Sequence, residues 1–297
     1  MALHDDDSLA FEVGAPIADY LSWDGVYGDR TTQQLLSNTS GIPGLASLLS
    51  YLGQPHECIF EPDTQLETCG EAIYNNLIPG TSPPGVGFDY GGAQWQLAGA
   101  VAEQVSNSSW RQAFDNYIAQ PCDLEVFQFG NMGIDWSTLN IDSSQWTGYP
   151  DSLTGLSNPL IEGGAISNMQ DYAKLLMMHL SGGKCGENRV LSEASVALLQ
   201  ADRSGVISGI LSGWRYGMGW WIPEELPGVV VDFGLFGSVG WLDTGRGIGG
   251  YMATDDYSYA LLNALIDPFA PPAKLVIEEI ILLQQQAVDA ARAAAGK

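Results

Sequence analysis

Positive charge is what this chain has least of. Against 35 Asp and Glu stand only 11 Lys and Arg in 297 residues, a formal net charge of −24. Nucleic acid and anionic membrane surfaces repel such a chain, and no Lys/Arg cluster offers a local exception. The acidity reads as a solubility device for a salty or exported setting, where ions screen the self-repulsion. An acidic cleft for a cationic substrate is the alternative, and nothing in the sequence localises one. Long apolar runs are missing too. Leu175 to Leu180 and Ile280 to Leu283 are the longest candidates, far short of the ~20 residues of a membrane span. The opening MALHDDDSLAF is acidic where a secretory signal is basic, and it lacks an apolar stretch. The chain as it stands is therefore expected to carry no export signal.

Histidine is scarce as well, with only His4, His56 and His179. A Ser-His-Asp triad would need His56 or His179, and His179 falls on the apolar face of a helical pattern, where a packed ring is the plainer reading. No Gly-x-Ser-x-Gly elbow occurs. The acidic doublets Glu224-Glu225, Asp255-Asp256 and Glu278-Glu279 are sequence neighbours whose side chains point apart, so they read as solvated and lend no support to a glycosidase.

What is present points to one sizeable domain. Hydrophobic residues make up 45% and charged residues 15%, which excludes wholesale disorder. Four cysteines sit in loops: Cys58 and Cys69 bracket a short polar stretch, Cys122 follows Pro121, and Cys185 lies in a Gly-rich turn. Loop-borne cysteines in even number favour disulfides and an oxidising compartment. Four free thiols, or a zinc site using His56, Cys58 and Cys69, are the alternatives; the zinc reading lacks a fourth ligand. With disulfides, the full-length form is expected to be periplasmic or secreted. No cofactor is implied.

Helical periodicity runs from Gln94 to Val105. A second helix is predicted to start at Ser109, with Gln112 three residues on, and a third at Ser167 with Gln170, ended by Gly182 and Gly183. Ser192 caps a fourth, and Pro271 and Pro272 open a long terminal helix from Ala273 to about Ala293. Strand signals gather late, at Val229 to Phe233, Ser238 to Leu242 and Tyr257 to Leu265, with Tyr216 to Ile222 as a further candidate. Consecutive strands joined by short turns predict an antiparallel sheet in an α+β layout. The run Trp214 to Trp221 reads either as the wall of an aromatic cleft or as strand core.

Six segments carry a resemblance. TTQQLLSNTSGIPGL (Thr31 to Leu45), LAFEVGAPIADYL (Leu9 to Leu21), FDYGGAQWQLAGAVAEQVSNSSW (Phe88 to Trp110), EGGAISNMQDYAKLL (Glu162 to Leu176), NRVLSEASV (Asn188 to Val196) and YGMGW (Tyr216 to Trp220) resemble, in family order, segments of β-lactamase-related serine hydrolases. That group includes class C β-lactamases, D-alanyl-D-alanine carboxypeptidases and esterases. The resemblance implies an antiparallel sheet flanked by helices over 1–297, with a mostly helical subdomain inserted at 43–160 and a helix, sheet and terminal helix in 161–297. It also implies acyl transfer: a Ser of Ser-x-x-Lys attacks a carbonyl, and a Lys and a Tyr handle the proton.

By that resemblance Tyr90 matches the proton-shuttling Tyr. Gly92 stands where the family usually has Asn, and Asp232-Phe233-Gly234 stands where it has Lys-Thr-Gly. Gly92, Asp232, Phe233 and Gly234 are thus the implied substrate-binding positions. Asp232 would repel a substrate carboxylate, so neutral or cationic esters and amides fit better than penicillins. Asp-Phe-Gly also spells a kinase signature, but its companion motifs are absent. The single literal Ser-x-x-Lys, Ser181 to Lys184, follows Tyr90 instead of preceding it and sits in a helix-ending turn, so it reads as coincidence. The expectation is a family member whose present chain lacks its nucleophile helix and first strands. A non-catalytic binding or scaffold protein is the alternative. Loss of those strands would leave an open sheet edge near Tyr257 to Leu265, through which chains could self-associate.

Overall fold

Capping chemistry sets the first helix, α1 (Thr32–Leu36). The Thr31 hydroxyl accepts from the Gln34 N–H, and the Gln34 side chain accepts from the Thr31 N–H, a closed capping box. In this computed structural model, residues 1–44, 53–131, 134–135, 140–141, 156–207, 212–234, 238–253 and 286 are described.

Three further helices follow: α2 (Leu66–Asn75), α3 (Gly92–Ser106) and α4 (Trp110–Phe114), which runs on into a π turn at Asp115–Ala119. The predicted capping box at Ser109 and Gln112 forms. Asn107 ends α3 in the left-handed region, φ 48°. Ile73 and Tyr74 of α2 pack with Leu97 and Val101 of α3 against Ile17, Tyr27 and Leu35 from the N-terminal segment, all at most 2% exposed. Apolar burial of this kind supplies most of a helix's stability.

The chain then alternates between short strand pairs and two helices. β1 (Gln128–Phe129) pairs with β4 (Ala165–Ile166), β2 (Ile134–Asp135) with β3 (Asn140–Ile141), and β5 (Lys184–Cys185) with β6 (Asn188–Arg189). The helices are α5 (Met169–Leu180) and α6 (Glu193–Gln200). The cap of α5 is Asn168, whose side chain accepts from the Asp171 N–H, one residue later than the Ser167 of the sequence reading. An Asn side chain reaches that N–H as well as a Ser does, and composition alone does not choose between them.

Five strands form the main sheet: β7 (Trp214–Tyr216), β8 (Trp221–Pro223), β9 (Val229–Phe233), β10 (Ser238–Asp243) and β11 (Ile248–Ala253). Their order is β11-β10-β9-β8-β7, antiparallel throughout. This is the expected α+β meander, with two differences. The single strand predicted over Tyr216 to Ile222 is two strands. Gly219 at φ 93° breaks the extended run, and the Gly217 N–H closes the turn on the Trp220 carbonyl. β11 is absent from the sequence reading because Gly249 and Gly250 dilute its strand signal. The strand expected at Tyr257 to Leu265, its open edge, and the helix from Ala273 lie outside the described residues.

Period-two alternation divides the sheet. Val229, Val231, Val239 and Trp241 pack on one face, and Val230 and Leu242 meet Leu176 of α5 on the other. Disulfides Cys58–Cys69 and Cys122–Cys185 staple the helical half internally and to β5. Both sulfurs of the hypothetical zinc site are thereby consumed, and the His56 ring meets the Asn76 carbonyl at 3.1 Å instead.

Candidate active site

Tyr90 is held by the segment before it. Asn38, in the left-handed region at φ 56°, accepts on Oδ1 from the Gly91 N–H at 3.1 Å and from Gln94 Nε2 at 3.2 Å. Its carbonyl takes the Asp89 N–H at 2.9 Å. The Ser40 hydroxyl donates to Gln94 Oε1 at 2.5 Å. Asn38, Ser40 and Gln94 are at most 1% exposed, so these hydrogen bonds are shielded from water. The Asn38-Thr39-Ser40-Gly41 motif is thus the mechanical brace of the Tyr90 loop. Around the Tyr90 ring stand Tyr216, at 5.8 Å between centroids, and Trp221, at 5.3 Å.

Glu162 reaches the same place by a different route. Gln96, buried on α3, donates to Asn158 Oδ1 at 2.7 Å and the Pro159 carbonyl at 2.8 Å, and accepts from the Ile161 N–H at 3.1 Å. This clamps the 158–162 segment onto α3. Two glycines seven residues apart on that helix give it room: a Cβ on Gly92 would lie 2.5 Å from Glu162 Oε2, and one on Gly99 would lie 2.7 Å from Ile161 Cγ1. Gly92 is accordingly a buried seat for the Glu162 carboxyl, not a pocket wall.

From the sheet, Asp232 projects on the α5 side and accepts from the Tyr172 hydroxyl at 2.5 Å. Phe233, one residue on, points to the opposite face and packs on Trp214, 5.3 Å between centroids. Strand alternation therefore separates the implied third motif, with Asp232 entering the pocket while Phe233 and Gly234 stay out of its lining. Of the Trp run, Trp214 and Trp221 belong to the core, and Trp220 lines the pocket while also packing with Val230 and Leu242.

The resulting cavity has a volume of about 280 Å³. Its lining includes Tyr90, Trp95, Glu162, Tyr172, Tyr216, Trp220 and Asp232, together with His179. No Ser, Thr, Cys, Lys or Arg is among the described lining residues. Ser181 and Lys184 lie outside it, both exposed, at the C-cap of α5 and the start of β5.

Electrostatics follow from burial. Desolvation pushes Glu162 up to about 7, partly opposed by the hydrogen bond that Tyr90 donates to it. Asp232 is also raised, by desolvation against the Tyr172 bond. Tyr90 sits well above its usual value, first through desolvation and then through the Glu162 charge. His179 falls to about 4 by desolvation, with its ring edge-on to Trp220 at 5.2 Å. At neutral pH the pocket thus holds a protonated Tyr90 next to a carboxyl that exchanges its proton near pH 7, the requirement for general acid–base work. Glu162 and Tyr172 escaped the sequence reading. Both lie inside the Glu162 to Leu176 segment, where nothing in the spacing sets either apart from its neighbours.

The Beta-lactamase family model matches residues 1–263. Comparison with curated proteins finds no significant sequence match. Among solved structures the chain is similar to EstCE1, a hydrolase with promiscuous acyltransferase activity: TM-score 0.63 and 20% identity, covering 84% of this chain and 74% of that one. A family VIII carboxylesterase gives 0.62 and 19%, covering 86% and 74%. A D-stereospecific amidohydrolase from Streptomyces sp. gives 0.57 and 19%, covering 89% and 81%. At these identities the likeness speaks for the fold, while the family match extends from the N-terminal segment through the sheet that carries Asp232. On that match, the chain belongs to the beta-lactamase family.

Proposed function

We propose that the chain carries the acid–base half of an ester- or amide-hydrolysing site that works by acyl transfer, with Tyr90 as its proton shuttle and a preference away from penicillin-like substrates. The observation that carries this reading is the Tyr90–Glu162 hydrogen bond in the cavity. In acyl transfer the attacking hydroxyl must lose a proton and the leaving group must gain one. In this reading Tyr90 relays it, with Glu162 as the reservoir. Asp232 sets the substrate class, since a carboxylate-bearing substrate would meet a second carboxylate there. The two disulfides support an exported, oxidising setting for the protein.

The described residues that line the cavity do not supply a nucleophile. With an activated ester such as p-nitrophenyl acetate, the 297-residue chain is expected to show no stoichiometric burst of acyl-enzyme. A burst that persists in Tyr90→Phe would reject the site assignment.

A second reading, a non-catalytic binding protein, draws support from Asp232 and Gly92, where the family's Lys and Asn are both gone. The coding DNA upstream of Met1 separates the two. An in-frame signal, strands and Ser-x-x-Lys support the hydrolase, and a promoter behind a stop codon supports the binding protein.

A further inference from the structure

We propose that the Tyr90 cavity recognises an organic cation, with Glu162 and Asp232 as the anionic partners and Trp95, Tyr172, Tyr216 and Trp220 as the walls around an ammonium head group. The proposal deepens the hydrolase reading by naming the substrate's chemical class, and it rests on that reading only for the idea that the ligand is turned over.

The argument begins with an imbalance. Two desolvated carboxyls on half-buried residues enter one small cavity, and no described Lys or Arg lines it or forms an ion pair with either. Buried acids are ordinarily paired or bind a cation. Among the described residues Asp232 has a single side-chain donor, the Tyr172 hydroxyl. Glu162 Oε1 is buried and has no hydrogen-bond partner, and neither do Trp95 Nε1 and His179 Nδ1 on the same lining. A cavity of about 280 Å³ stands at the lower end of small-molecule sites.

The titratable neighbours do not supply the missing charge. Tyr90 before α3, Tyr172 on α5, and Tyr216 and Tyr251 on the sheet are all raised by desolvation and stay neutral. His179 on α5, lowered to about 4, is neutral as well. The aromatic faces add the quadrupole attraction that suits a weakly hydrated ammonium ion. A substrate anion meets the same groups with the opposite sign. This turns the loss of the family's Lys at position 232 into a change of charge preference.

The test is calorimetric titration of the full chain, disulfides intact, with choline and with its neutral isostere 3,3-dimethyl-1-butanol. Choline is expected to bind at least about tenfold more tightly than the isostere. Its affinity should rise from pH 6 to pH 8 as Glu162 gives up its proton. Asp232→Asn, checked for fold by circular dichroism, should weaken choline about tenfold and leave the isostere unchanged. Equal binding of the two probes, no choline binding to the folded protein at pH 8, or a selectivity that survives both Asp232→Asn and Glu162→Gln each overturn the inference. If Asp232→Asn fails to fold, the probe comparison and its pH dependence on the native chain decide alone. Because binding needs no nucleophile, the two ideas fail separately. Cation selectivity together with a burst that persists in Tyr90→Phe sinks only the hydrolase site assignment, whereas equal binding of the two probes with no burst sinks only this one.

Discussion

Replacing Glu162 by Gln tests the electrostatics of the cavity without any substrate. The carboxyl ionises near 4.5 when solvated and near 7 in the folded protein, raised by desolvation. The folded state therefore holds the proton more tightly than the unfolded state. The linked stabilisation is fully present below pH 4.5 and is lost as pH rises through about 7. At about 1.36 kcal/mol per pH unit, that interval amounts to about 3 kcal/mol, and partial solvent access to the side chain makes this an upper figure.

A glutamine side chain cannot ionise, so the Glu162→Gln variant lacks this one slope and keeps every other. Urea unfolding of both proteins with disulfides intact, followed by tryptophan fluorescence from pH 4.5 to 8, gives the difference directly. The variant is expected to be equal to or slightly weaker than the native chain at pH 4.5, where both are uncharged here. It should then gain on the native chain by about 2–3 kcal/mol by pH 8. Parallel pH profiles, differing by a constant, would show that Glu162 is solvated and that the picture of a desolvated cavity is mistaken.

Three further outcomes are expected. Cys122–Cys185 closes a sequence separation of 63 and Cys58–Cys69 one of 11, so the paired Ser substitutions should cost about 4 and about 3 kcal/mol respectively, and a reversed order in denaturant midpoints would contradict the loop-entropy argument. Gln96→Ala removes three buried hydrogen bonds to the 158–161 segment; it should cost about 2–4 kcal/mol and bring the ionisation of Glu162 back toward that of a solvated carboxyl, measurable by carbon-13 NMR titration. Gly240→Ala would place a Cβ 2.5 Å from the Tyr172 hydroxyl, which Asp232 and the Tyr251 ring at 4.3 Å hold in place; a loss of about 1–3 kcal/mol is expected, and an unchanged melting temperature would mean that α5 slides freely over the sheet.

Much of this protein is legible from its residues taken locally. The caps at Ser109 and Ser192, the helix over 94–105, and the strands at Val229 to Phe233 and Ser238 to Leu242 depend on spacing within a few residues. Short-range spacing is what sequence displays most plainly. Tyr90 and Asp232 could be singled out because motif order survives where identity does not.

The cavity could not be read in that way. Glu162 meets Tyr90 because Gln96 clamps one segment onto a helix whose glycines at 92 and 99 leave it room. Asp232 faces the cavity and Phe233 does not because the sheet's register puts them on opposite faces. The two carboxyls lie 70 positions apart in the sequence, and only packing brings them into one desolvated space with no described Lys or Arg on its lining. Composition and local pattern suffice for the class of fold, the family and the acidity of the chain. Where that acidity is concentrated depends on packing, because burial and pairing are properties of neighbours in space.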